Sequence, residues 1–74
     1  MEGTYDPEAD AAYLGLVATT EPGESKRQAT ARVEGLRADI VFDFDADDRI
    51  IGIEIIGARD QLRPETIDGL RRLG

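Results

Sequence analysis

Asp43, Asp45, Asp47 and Glu54 stand at positions 1, 3, 5 and 12 of a twelve-residue segment, the spacing at which a calcium loop presents its oxygens. Ile50 supplies the apolar residue such a loop carries near position 8. Three physical points oppose a calcium loop. Position 6 needs a sharp turn that glycine supplies, and here it is Asp48. A calcium loop of this kind lies between helices, whereas "ADIVFDFD" and "RIIGIEII" are rich in β-branched and aromatic residues, which favour strands. In a paired hairpin Glu54 returns beside Val41, several residues from the tip, where it cannot chelate. The segment therefore reads as a hairpin over residues 39–56 with an acidic tip, and no dedicated metal site is expected. Weak metal or small-ligand binding through residues 43–54 is the alternative, with Asp45, Asp47 and Asp48 as an adventitious cation site at the turn.

Little else in the chain suggests catalysis. Histidine and cysteine are absent, which removes the commonest general base and the thiolate nucleophile. Ser25 is the only serine and has no histidine to activate it. Asp6, Glu8 and Asp10 gather three carboxylates in "DPEAD", but acid–base work needs a concave site that raises one pKa, and the stretch reads as a solvated turn. "PGES" and "GLRAD" lack the spacing and the lysine of a phosphate loop. The sequence thus points to a non-enzyme with no catalytic residues and no cofactor. Arg59, Arg63, Arg71 and Arg72 form a basic concentration that reads as a solvated helix surface. Tyr5 and Tyr13 are of the type that anchors partners, but they also suit the edge of a core.

The elements that would carry these residues follow from periodicity. "GTY" suits a short first strand, and "AAYLGLVA" alternates Ala12, Leu14 and Leu16 against Ala11, Tyr13, Gly15 and Val17. "TTEPGES" is a Pro-Gly loop. In "KRQATARVE", Ala29, Ala31 and Val33 share one face, which favours a strand over residues 25–34, with a helix as the rival. Ile40, Phe42 and Phe44 form one apolar set, and Ile51, Ile53 and Ile55 another. A turn at Asp47-Asp48 brings Phe44 opposite Ile51, Phe42 opposite Ile53 and Ile40 opposite Ile55, all on one face. A one-residue slip would bury Glu54 beside Ile40. Gly52 then faces Asp43, a position that suits a bulge or a close backbone approach. "RPETIDGLRRLG" predicts a terminal helix: Pro64 at its start, Arg71 and Arg72 at its negative end, Gly74 as cap, and Ile67, Leu70 and Leu73 as its apolar stripe. The expected fold is one α+β domain over residues 1–74: a small antiparallel sheet, mainly a meander, packed by a C-terminal helix.

The chain has 74 residues, 41% of them hydrophobic, and a formal charge of −7. So short a chain without disulfides sits near the limit of independent stability, so self-association is expected. The charge repels nucleic acid and anionic membranes and favours a basic partner. No apolar run approaches a membrane span, and "MEGTYDPEAD" lacks the features of a signal peptide, so a cytoplasmic location is expected. One helix covers one face of a sheet. The other face, with Tyr13, Val17, Val41, Ile50 and Ile56, is the candidate interaction surface of a homodimer.

"YDPEADAAYLGL" and "VFDFDADDRIIGIEIIGA" together resemble the small bacterial family called domain of unknown function 2283. The shared residues are Tyr5, Asp6, Glu8, Ala9, Asp10, Tyr13 and Leu16, then Asp43, Asp45, Gly52, Ile53, Glu54 and Ile55. Asp48 stands where that family usually carries a turn glycine. The resemblance implies a small antiparallel sheet with a terminal helix and brings no established catalytic residues. It also implies a regulatory role, such as the neutralising partner of a toxin-like protein.

Overall fold

A computed structural model describes residues 2–18 and 23–74. Six strands, β1 (Glu2–Asp6), β2 (Ala11–Gly15), β3 (Arg27–Ala31), β4 (Asp39–Phe44), β5 (Ile50–Ile56) and β6 (Arg71–Arg72), form one sheet in the order β3-β4-β5-β2-β1-β6. All neighbours are antiparallel except β1 and β6, which run parallel. Two short helices, α1 (Ala58–Gln61) and α2 (Pro64–Asp68), precede β6. Residues 27–31 are strand, not helix, and most of the "TTEPGES" loop, residues 19–22, lies outside the described residues.

Alternation turns the sheet into two unlike faces. Across the strands, Ala31, Ile40, Ile55, Ala12 and Tyr5 line up in one row. Ala29, Phe42, Ile53 and Leu14 line up in the next. Both rows lie on one face. The other face carries Thr4, Tyr13, Glu54, Val41 and Thr30 in a single row. Ile40 opposes Ile55 and Phe42 opposes Ile53, but Phe44 pairs with Ile50 rather than Ile51. A bulge between Asp43 and Phe44 breaks the regular register there. Asp48, with φ of 60°, takes the left-handed conformation that aspartate tolerates better than most residues.

The C-terminal tail corrects the single-helix expectation. Pro64 does open a helix, but it ends at Asp68. Gly69 weakens continuation, and the backbone beyond it finds partners on the free edge of β1: Thr4 pairs with Arg71, Tyr5 with Arg72, and the Leu73 amide donates to the Tyr5 carbonyl at 2.8 Å. Arg71 and Arg72 therefore sit in a strand, not at a helix end, and Gly74 caps no helix.

The turn "DPEAD" ties the two halves of the chain together. The Asp6 carboxylate accepts the Glu8 amide at 3.0 Å, which shapes the turn. Asp10 follows with φ of 52°. Its carbonyl accepts the amides of Gly57 and Ala58 at 2.9 and 3.1 Å. Its carboxylate accepts the Tyr5 hydroxyl at 2.7 Å and the Arg59 amide at 2.9 Å. These bonds anchor α1 so that Ala58 packs on Tyr5 and Ala12, and Ile55, Leu62, Ile67 and Leu70 pack around them. Tyr5, Ala12 and Ala58 are at most 2% exposed, yet no large side chain among the described residues is fully enclosed.

The same bonds set a pH dependence. The hydroxyl of Tyr5 holds the Asp10 carboxyl below its ordinary 3.8, helped by the Arg59 amide and charge. A carboxyl depressed in the fold contributes stability that is present above its unfolded pKa and lost as pH falls through the folded one. Asp10→Asn keeps an acceptor and tolerates the positive φ but lacks the charge. We expect it to melt below the wild type at pH 7, and Asp10→Ala to melt lower still. The gap between wild type and Asp10→Asn should close as pH falls below 3.8. Thermal melts by circular dichroism from neutral to acid pH check this; a gap independent of pH would contradict it.

Candidate interaction surface

The polar face is organised around Tyr13. Its side chain starts on β2, crosses β5 over Gly52 and donates its hydroxyl to the Asp43 carboxylate on β4 at 3.2 Å. Gln28, on β3, donates to the other Asp43 oxygen at 2.7 Å. This crossing explains the glycine. A Cβ added at Gly52 would stand 1.9 Å from the Tyr13 hydroxyl oxygen, so only a residue without a side chain admits the ring. The aromatic in turn covers backbone that the glycine leaves bare. Burial, and then the Asp43 charge, raise the Tyr13 pKa above its ordinary value, so the phenol keeps the proton it donates at neutral pH.

The acidic segment divides between sheet and turn. Asp43 is engaged by Tyr13 and Gln28. The Asp45 carboxylate accepts the amides of Asp47 and Arg49 at 2.9 and 3.0 Å and shapes the hairpin tip. Asp48 pairs with Arg27 at 3.2 Å. Glu54 lies opposite Val41 and Tyr13, away from the tip. Among the described residues no three acidic side chains gather as a cation site.

The five residues expected to form one apolar patch are dispersed. Tyr13, Val41 and Ile56 share the polar face, but Glu54 stands between Tyr13 and Val41, and Asp39 lies opposite Ile56. Val17 lines an open cavity of about 390 Å³ with Tyr13, Thr4, Glu2 and Arg71, the last two joined in an ion pair. Ile50 leaves the set, because the bulge pairs it with Phe44 and so brings it to the opposite face. A smaller cavity of about 180 Å³ lies between Tyr5, Arg59, Pro64, Ile67 and Arg72, where Arg59 donates to the Tyr5 hydroxyl at 3.2 Å.

Residues 4–59 match the model of a family described as protein of unknown function (DUF2283). The chain belongs to this family. No curated protein and no solved structure gives a match. The DUF2283 span runs from β1 through Arg59 and leaves α2 and β6 outside it. Its two ends meet in space, since Tyr5 and Asp10 bond to Arg59. The residues that carried the DUF2283 resemblance are largely occupied with one another: Tyr5 with Asp10, Asp6 with its own turn, Tyr13 with Asp43 over Gly52, and Asp45 with the hairpin tip.

Two outcomes follow. Gly52→Ala should displace Tyr13 and destabilise by about 1–3 kcal/mol, the usual cost of overpacking. Tyr13→Phe should cost only about 1 kcal/mol, the value of one hydrogen bond. In a Tyr13→Ala background Gly52→Ala should become nearly neutral; urea denaturation of the four proteins tests the coupling, and additive effects would contradict it. Calcium should show no saturable binding below ~1 mM, the weak end for dedicated loops. Isothermal titration checks this, and a stoichiometric micromolar isotherm lost in Glu54→Gln would contradict it.

Proposed function

We propose that this chain is a non-enzymatic protein-interaction module that works as a homodimer. The observation that carries the reading is an excess of surface. The chain exposes 5284 Å². A compact monomer of 8.1 kDa exposes about 4500 Å² by the usual scaling of area with mass. The excess, roughly 800 Å², is about what one partner contributes to a standard protein–protein interface. The Cα radius of gyration, 12.4 Å, likewise exceeds the roughly 11 Å expected for this length. The molecule is a slab with extents of 34 × 29 × 18 Å, and its sheet is wider than the helix layer on it.

The bonding of the family's polar residues supports the same reading. Asp10, Asp43 and Asp45 hold backbone turns and cross-strand ties, which leaves them a structural task. No helix is long and apolar enough to cross a membrane among the described residues.

Two copies of charge −7 repel each other, and salt screens that repulsion over about 10 Å at 0.1 M. The dimer should therefore tighten as ionic strength rises. Sedimentation equilibrium at low and moderate salt measures this. A monomer at high micromolar concentration in both conditions would refute the homodimer and leave the surface to a different protein, for which the charge favours a basic one.

A further inference from the structure

We propose that the second copy packs on the uncovered half of the helix-bearing face, centred on Phe42. This inference rests on the homodimer reading and adds where the two copies meet. The helix layer covers Tyr5, Ala12 and Ile55, and Leu70 reaches over Gly3, whose absent Cβ would lie 2.6 Å from it. It stops there. Phe42, Ile53, Leu14 and Ile40 are only half-buried and lie outside the packed cluster. At one end of these rows, Leu16 is 39% and Ile50 44% exposed. The row Ala29, Phe42, Ile53 and Leu14 is thus an apolar surface four strands wide outside the packed cluster, bounded by Leu70 at Leu14 and by the buried Ile51 beside Ile53. Contiguous apolar surface of this kind is what marks an association site.

Charge selects this face and argues for a second copy as its occupant. By alternation along the strands, Glu2, Asp6, Asp39, Asp43 and Glu54 all project from the opposite face. No strand residue on the helix-bearing face is acidic; its charges are Arg27 and Arg72. Arg27 lies with its guanidinium 4.1 Å from the centre of the Phe44 ring and pairs with Asp48. Two strongly acidic molecules meet at least cost where the strands present no carboxylate to be desolvated and the nearby one, Asp48, is already paired with Arg27. The opposite face would set five acids of one copy against five of the next. A self-complementary two-fold contact of standard size buries about 800 Å² per chain, the order of the chain's total surface excess over a compact monomer.

Sedimentation equilibrium on charge-bearing variants tests the assignment. Ala29→Glu and Leu16→Glu alter half-buried or exposed positions, so the monomer's fold survives, as circular dichroism will show. Each should weaken dimerisation about tenfold or more, as a buried unpaired charge does. Ala29→Lys should weaken it less than Ala29→Glu, because it lowers the repulsion between acidic chains. Val41→Lys, on the polar face, should leave the dissociation constant within about threefold. Unchanged dimerisation in both Ala29→Glu and Leu16→Glu, or a dimer abolished by Val41→Lys, would overturn the location while leaving the homodimer intact. A wild-type monomer at all concentrations would instead overturn the homodimer reading itself.

Discussion

Asp10 is the residue on which the arrangement of this domain depends. The four residues between β1 and β2 would otherwise be an ordinary turn. Its left-handed backbone turns its carbonyl toward Gly57 and Ala58, and its carboxylate takes the Tyr5 hydroxyl and the Arg59 amide. One residue thus fixes where the chain leaves β5 and where α1 begins. Without that corner nothing directs Ala58 onto Tyr5 and Ala12, and the small core built on them has no lid. The tail then follows, since β6 docks on the edge of β1 beside the same tyrosine.

A lid this small sets the second constraint. Four residues of α1 and five of α2 pack against Tyr5, Ala12 and Ile55, on three strands of a six-stranded sheet. Phe42, Ile53 and Leu14, on the rest of that face, stay half-buried and outside the packed cluster. The opposite face follows a different plan. There the Tyr13 ring, laid over Gly52, ties β2 to β4 across β5 and brings Asp43 within reach of Gln28 on β3. Polar cross-strand ties stabilise that face in water without a covering layer. One sheet therefore offers a self-sufficient wet face and an incomplete dry one.

Much of this was legible in the residue pattern. The alternation of Ile40 and Phe42 with Ile53 and Ile55 fixes their pairing, because a one-residue slip would bury Glu54. Gly52 opposite Asp43 reads from the sequence as a bulge or a close backbone approach, whereas the fold fills that space with a side chain, Tyr13. Three features were not legible. The bulge that moves Ile50 to the other face depends on the tip geometry around Asp45. The conversion of Arg71 and Arg72 from helix end to strand depends on a free β1 edge, which no local propensity reveals. The pairing of β2 with β5 joins residues some forty positions apart, and it places Tyr13 among acids instead of in an apolar patch. The terminal helix read from "RPETIDGLRRLG" stops at Asp68, and the chain continues as β6 on the β1 edge.

The central claim is that the Phe42 row of one copy lies against the same surface of another. Isotope-filtered nuclear Overhauser spectroscopy on a mixture of labelled and unlabelled chains observes only contacts between copies. The account predicts cross-peaks from the Phe42 ring to Leu14, Leu16 or Ile53 methyls of the other chain, with none from Val41 or Ile56. Intermolecular contacts confined to Val41 and Ile56, or an empty filtered spectrum at millimolar concentration, would contradict it.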